Sequence, residues 1–227
     1  MEEDLNPERR GIITLLGVIT LFFLLESFLL IMVYAPIEKT MGIVQKIFYF
    51  HVSSAWIAFL AFFVVFISSI LFLIKREKRW DIMALSSAEL GVFFCFIVLS
   101  TGPIWGKPVW GVWWSWEPRL TTTLVLLLIY AGYLMIRAFG GGGERSLKFA
   151  AVVGIVGFID VPLVYFSVNW WSPEAQVHPR RISLEPEMKL VLIFSLITFT
   201  AIFLYFLMER IKLEQIREKI KILKYER

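Results

Sequence analysis

Tryptophan is concentrated in one short stretch of this chain, residues 105–116, called the tryptophan segment below. Five of the nine Trp residues lie in it, and Gly102, Gly106 and Gly111 lie beside or within it. Clustered indole rings offer large, rigid apolar surfaces that exclude water, and glycines let a backbone approach a ligand closely. The pattern therefore favours a platform for a planar apolar ligand over an interfacial aromatic belt, whose residues are normally scattered over many helix ends.

The two histidines of the chain, His51 and His178, are the next candidates for chemistry. A single histidine in a membrane protein is often a hydrogen-bonded packing residue. Haem, however, is planar and apolar, and its iron accepts a neutral imidazole on each face. Two histidines flanking an aromatic platform would give a six-coordinate haem site. Arginine forks suit carboxylates such as the haem propionates, and the available cations are Lys107, Arg119, Arg180 and Arg181.

Other kinds of site are excluded by what the sequence lacks. Cys95 is the single cysteine, so the chain has no C-x-x-C for thiol redox chemistry, covalent haem attachment or a cysteine zinc site. With two histidines, a multi-histidine metal site is not expected. The glycine run 140–143 lacks the Gly-Lys-Ser/Thr of a phosphate loop, which argues against a nucleotide site.

The elements that must position these residues are membrane helices. The chain is 58% apolar and 19% charged, with a mean hydropathy of +0.73, whereas soluble domains are about 45–50% apolar. A bilayer-spanning helix needs about 20 apolar residues, and six stretches qualify, at residues 11–33, 47–74, 82–104, 120–136, 147–168 and 188–208. The sequence therefore predicts a single all-α integral membrane domain over residues 1–227. We expect Pro103, Pro108 and Pro118 to make residues 105–119 an outer, Trp-rich loop between the third and fourth helices.

The distribution of Lys and Arg predicts the orientation of the chain. Of the 23 Lys and Arg residues, 16 fall on the side that holds both termini. The positive-inside rule then places both termini in the cytoplasm and the two histidines with the tryptophan segment on the outer side. The net charge of +4 reflects this topology, not nucleic-acid binding. Residues 209–227 are predicted to form a cytoplasmic helical tail, because apolar residues recur there at helical spacing.

Three carboxylates, Glu26, Glu89 and Asp160, lie within the predicted spans. Ionisable residues at membrane depth are costly and often functional, so they suggest a proton or substrate pathway. We favour side chains hydrogen-bonded between helices, with Asp160 and Pro162 holding a kink. The residues alone leave both haem binding and solute transport open.

Residues 110–121, WGVWWSWEPRLT, resemble the tryptophan-rich WWD signature of haem-handling membrane proteins, most closely that of the CcmC family of cytochrome c maturation. Residues 45–56 are similar to that family's first histidine segment. Residues 161–171 are similar to its fifth span and last outer loop. The resemblance extends over nearly the whole chain, including its size and its six spans.

The resemblance implies a non-covalent haem b with His51 and His178 as axial ligands. It implies further haem-contacting residues in and after the tryptophan segment: Trp110, Gly111, Trp113, Trp114, Trp116, Glu117 and Arg119. Glu117 stands where the motif usually has Asp. The implied partners are the haem chaperone CcmE, the ABC transporter pair CcmA and CcmB, the small subunit CcmD and the lipid bilayer. The expected role is haem delivery at the outer face of the cytoplasmic membrane, without catalytic residues and at most assisting covalent attachment of haem to CcmE.

Three alternatives stay open at the level of sequence. A synthase component of the CcsA or CcmF type is typically larger and carries further histidines. A b-type electron-transfer subunit usually carries histidine pairs that face each other across the bilayer. A solute transporter would depend on Glu26, Glu89 and Asp160 rather than on the histidines.

Overall fold

The computed structural model describes residues 7–170, 178 and 183–225. This part of the chain folds into seven α-helices and contains no β-strand. The helices are α1 (Pro7–Leu29), α2 (Ile47–Lys75), α3 (Lys78–Trp110), α4 (Pro118–Phe139), α5 (Glu144–Gly157), α6 (Asp160–Trp170) and α7 (Pro186–Tyr225). A π-helical turn, Leu30–Tyr34, extends α1, and a 3₁₀ turn, Ile43–Lys46, leads into α2.

Six segments of these helices are long and apolar enough to cross a membrane. They are Gly11–Tyr34, Ile43–Lys75, Lys78–Trp110, Pro118–Phe139, Glu144–Asn169 and Pro186–Lys224. The predicted all-α fold with six spans is therefore confirmed. The apolar runs predicted it because the bilayer leaves a spanning chain few ways to satisfy its backbone polar groups other than a helix.

The third span is longer than predicted, because α3 runs through Pro103 and Pro108 to Trp110. The expectation that these prolines interrupt the helix is wrong. Each proline removes one backbone hydrogen bond, but the remaining bonds keep this stretch helical. The helix ends at Gly111, which has φ +78° and donates its N–H to Lys107 O at 3.0 Å. The first half of the tryptophan segment is thus helical, and the irregular connection is confined to residues 111–117.

The fifth span is broken, and the kink predicted around Asp160 and Pro162 is present. α5 ends at Gly157 and α6 begins at Asp160. Tight turns bridge the break, with Val161 N–H donating to Phe158 O at 3.1 Å. Pro162 has no N–H to donate to that carbonyl, so the break lies where the regular hydrogen-bond ladder is interrupted.

The core is centred on α2 and α3, which pack together more extensively than any other pair of described helices. α4 packs on α3, α5 and α6, whereas α7 packs on α1, α2 and α3. Phe62 stacks on Tyr130 with ring centroids 3.8 Å apart. Gly91 makes room for this pair, because a Cβ there would lie 2.5 Å from Phe62 Cε1. Close α2–α3 packing brings the start of α2 against the end of α3.

The connection between α1 and α2 is closed by Glu38. Its carboxylate accepts hydrogen bonds from the backbone N–H of Met41 and, at 2.7 Å, of Thr40. Hydrogen bonding to the charged form, chiefly from Met41, holds the pKa of Glu38 below its usual value. This turn fixes the direction in which the chain enters α2.

Ion pairs join the helices at the end of the bundle opposite the connection between α1 and α2. Arg137 of α4 binds Asp81 of α3, with N···O distances of 2.6 and 3.0 Å. Arg210 of α7 binds Glu89 of α3 at 2.7 Å through Nε. Glu89 is therefore hydrogen-bonded to a residue of another helix, which is the role that the sequence analysis favoured.

Candidate ligand-binding site

The two histidines lie at the same end of the bundle. His51 is in the second turn of α2 and His178 is in the connection between α6 and α7. A chain of ring contacts through two indoles links the imidazoles. Ring centroids are 5.9 Å apart for His51 and Trp105, 5.7 Å for Trp105 and Trp110, and 5.3 Å for Trp110 and His178. The end of α3 therefore connects the two histidines with the tryptophan segment.

The hydrogen bond of His51 determines which ring nitrogen carries its proton. His51 Nδ1 lies 2.9 Å from Thr101 Oγ1, and that hydroxyl donates its own proton to Ile97 O at 2.8 Å. The hydroxyl oxygen must therefore accept the hydrogen bond, and Nδ1–H donates it. This leaves Nε2 of His51 with a free lone pair, because no described residue donates to it.

His178 is held in the same tautomer by a different group. Its Nδ1 hydrogen-bonds to Glu117 Oε1, and its backbone N–H donates to Glu117 Oε2 at 3.3 Å. A carboxylate only accepts hydrogen bonds, so Nδ1 carries the proton. No described residue donates to Nε2 of His178 either. In its neutral form each imidazole thus presents an unshared electron pair from Nε2, which is what a metal ion requires of a histidine ligand.

Both histidines line one cavity of about 390 Å³. Volumes of about 300–1,000 Å³ are typical of small-molecule and cofactor sites. Its wall is formed mostly by apolar side chains, among them Phe48, Val52, Phe59, Val98, Leu99 and Val164. Two imidazoles and one guanidinium facing an apolar cavity suit a planar apolar ligand with an iron centre and acidic edges, such as haem.

The structure gathers some of the predicted site residues at the cavity and leaves others outside it. His51, His178, Trp110, Trp113, Trp114 and Arg119 line the cavity. Gly111, Trp116 and Glu117 do not: Gly111 ends α3, Trp116 is 76% exposed, and Glu117 contacts His178 from behind. The predicted platform is therefore split between cavity wall and outer surface.

Arg119 is the cation best placed for an acidic group. It belongs to the first turn of α4 and lines the cavity, with one Nη donating to Tyr165 O at 3.0 Å. Its buried Nε has no partner in the described part of the chain. Lys107 instead donates to Gly111 O at 2.8 Å. Arg180 and Arg181 lie outside the described residues.

Sequence reasoning missed two residues of the site. Trp105 was counted in the tryptophan segment but not assigned to the ligand, and it is 5% exposed between Phe48, His51 and Trp110. Thr101 orients His51 and was not singled out. Both lie on one face of α3, four residues apart, so a helix extended past Pro103 would have indicated them.

A known protein family matches nearly the whole chain. The profile of the CcmC family, described as "Heme exporter protein C", matches residues 7–226. The chain is 32% identical over 193 residues to "Heme exporter protein C" of Bradyrhizobium diazoefficiens, an alignment covering 83% of this chain and 73% of that protein.

Two further relatives extend the comparison. The protein of the same name from Escherichia coli K12 is 30% identical over 167 residues, or 73% of this chain and 68% of that protein. A mitochondrial protein of Marchantia polymorpha, described as ccmC-like and belonging to cytochrome c biosynthesis, is 37% identical over 138 residues, or 61% and 58%. The chain belongs to the CcmC family of heme exporter proteins.

Proposed function

We propose that this membrane protein holds haem non-covalently between His51 and His178 and hands it on during cytochrome c maturation. The proposal depends on one observation, which is that the two imidazoles have the same hydrogen-bonding arrangement. Each has its Nδ1 hydrogen-bonded and its Nε2 lone pair available, and both line the same apolar cavity. The names of the relatives supply the physiological context, since they refer to haem export and to cytochrome c biosynthesis.

Different residues of the cavity would hold different parts of the haem. The two imidazoles would bind the iron, and Arg119 would receive a propionate at its unpartnered Nε. Indole rings, including Trp110 and Trp114, would cover the macrocycle and exclude water. Covalent attachment to this chain is not part of the proposal, because a chain with a single cysteine has no C-x-x-C-H motif for it. Ligation through nitrogen alone keeps the haem releasable.

The recipient in this proposal is the haem chaperone CcmE, which would take haem at the outer face. CcmA, CcmB and CcmD would complete the complex around this chain. Both termini would then be cytoplasmic, in the inner membrane. The protein acts as a delivery subunit rather than an enzyme and at most assists covalent attachment of haem to CcmE.

The positions of the histidines weigh against a b-type electron-transfer subunit. Such a protein would need ligand pairs distributed across the bilayer depth, whereas both histidines lie at one end of the bundle. Solute transport through membrane carboxylates is likewise less supported, because Glu89 is engaged by Arg210.

The proposal is tested by optical spectroscopy of the purified protein after haem supplementation. We expect the wild type to show a Soret band typical of six-coordinate, low-spin haem. His51→Ala and His178→Ala should each give five-coordinate haem, and the double variant should lose the band. Added imidazole should restore the six-coordinate spectrum of each single variant, which shows that the cavity is intact. A wild type without a Soret band, or a double variant with an unchanged one, would contradict the proposal.

A further inference from the structure

The two candidate iron ligands are supported by chemically different groups. Nδ1 of His51 donates to the neutral hydroxyl of Thr101, whereas Nδ1 of His178 donates to the carboxylate of Glu117. Hydrogen bonds to an ionised acceptor are roughly twice as strong as those between neutral groups. The site is therefore asymmetric before any ligand binds.

Glu117 lies behind His178 with its side chain almost fully buried, 1% of it being exposed. It occupies the N-cap of α4, yet its carboxylate makes no capping hydrogen bond. The partial positive charge of a helix N-terminus stabilises a nearby anion, and Arg119 lies close enough to interact with it electrostatically. Each of the two carboxylate oxygens contacts His178.

A carboxylate behind a metal-bound histidine has a known physical effect. It fixes the ring tautomer and orientation, and it raises the basicity of the nitrogen that faces the metal. The effect of a neutral hydroxyl, such as that of Thr101 behind His51, is weaker. Nε2 of His178 is consequently the stronger electron donor of the two.

We propose that Glu117 is a positioning residue for His178 and that it makes the two axial bonds to haem iron unequal. The bond that His51 would form with the iron would then be the weaker one and would open first when haem is handed on. His178 would be the ligand that remains after that step. This inference rests on the proposed function, because it assigns an order to the release from the same site.

The contact itself is tested without haem. The chain has two histidines, so ¹⁵N-histidine NMR of the detergent-solubilised apoprotein resolves each ring once His51→Ala and His178→Ala have assigned the signals. We expect both rings as the Nδ1–H tautomer. Glu117→Gln should shift only the signals of His178 toward a mixture of tautomers, and Thr101→Val should shift only those of His51. A spectrum of His178 unchanged by Glu117→Gln would overturn the assignment of Glu117.

The inequality of the bonds is tested by the iron–histidine stretching band in resonance Raman spectra of five-coordinate ferrous haem. The band should lie at higher frequency in His51→Ala, where His178 remains, than in His178→Ala. Glu117→Gln added to His51→Ala should lower it, and Glu117→Asp, which keeps the charge, should recover part of the shift. Thr101→Val added to His178→Ala should move it less. Equal frequencies in the two histidine variants would overturn the proposed order.

A third measurement keeps both histidines in place. Glu117→Gln should raise the reduction potential of bound haem relative to wild type, because a weaker donor stabilises ferric iron less. Thr101→Val should change the potential less than Glu117→Gln does. An unchanged potential in Glu117→Gln would contradict the inference. If the wild type binds no haem, the proposed function fails, while the tautomer signals still decide whether Glu117 orients His178.

Discussion

At the scale of single residues, the position of Trp110 depends on the missing side chain of Gly106. A Cβ at Gly106 would lie 3.0 Å from Trp110 Cε3, and the Trp110 ring is in turn packed between Trp105 and His178. The glycine therefore lets the last indole of α3 lie against its own helix. The spacing of rings along the cavity follows from this contact.

Gly106→Val should displace the Trp110 ring and weaken haem binding by about tenfold, since overpacking costs about 1–3 kcal/mol and 1.4 kcal/mol is a factor of ten. The measurement is a haem titration followed at the Soret band. Gly132→Ala is the matched control, because a Cβ at Gly132 meets no atom within 4 Å. Equal affinity of Gly106→Val and Gly132→Ala would show that Trp110 does not shape the site.

The residue types of the site were readable from the sequence, but their connections were not. His51, His178 and the tryptophan segment stand out because such residues are scarce or concentrated in this chain. The contact between Glu117 and His178 joins residues 61 positions apart, and only the packing of α4 against α3 and α6 brings them together. Thr101 has no distinguishing pattern, since a threonine in an apolar span usually bonds its own helix, as this one also does.

At the scale of helices, α3 links the two ends of the bundle. Its last turns carry Thr101 and Trp105 at the cavity, and its first turns carry Asp81 and Glu89. Asp81 is 4% exposed and is engaged by Arg137, while Glu89 is 32% exposed and is engaged by Arg210. One of these two arginine–carboxylate ion pairs is thus buried, and the other is partly exposed.

Arg137→Ala should therefore destabilise the fold more than Arg210→Ala does. Removing one partner of a buried pair costs about 3–5 kcal/mol; we expect the lower end, because Lys78 remains 3.0 Å from Asp81. Solvent screening reduces the cost at the more exposed pair to about 1 kcal/mol or less. Thermal unfolding in detergent measures the difference. A melting temperature lowered equally by both substitutions would contradict this order.

The helices themselves were predictable to within a few residues, apart from two ends. The apolar runs located all six spans, because length and hydropathy suffice for a membrane helix. They did not locate the end of α3, where Pro103 and Pro108 were expected to interrupt the helix. The second is the end of the sixth span, predicted at residue 208: the helical tail predicted over residues 209–227 continues the same helix, which runs for 40 residues to Tyr225.

At the scale of the whole molecule, the two ends of the bundle have different chemistry. The cavity, the histidines and the indole rings lie at one end, whereas the ion pairs of Asp81 and Glu89 lie at the other. The second end also carries the greater share of Lys and Arg. The positive-inside rule therefore predicts that the cavity faces outward.

Reporter fusions test this orientation in a bacterial host. If the C-terminus is cytoplasmic, as the positive-inside rule predicts, green fluorescent protein fused to it should fluoresce, and alkaline phosphatase at the same position should be inactive. Alkaline phosphatase inserted after Gly111, in the connection between α3 and α4, should be active. The reverse pattern would place the cavity on the cytoplasmic side and contradict delivery to an outer chaperone.

The uneven distribution of tryptophan makes the protein's own light emission a sensor of the cavity. Five of the nine indoles belong to residues 105–116, and four of these, Trp105, Trp110, Trp113 and Trp114, line the cavity directly. Haem absorbs at the wavelengths at which indole emits, so energy transfer to a bound macrocycle would quench these fluorophores first. Trp80, at the far end of α3, would lose less of its emission. Loading and release of haem can therefore be followed in real time without an added label.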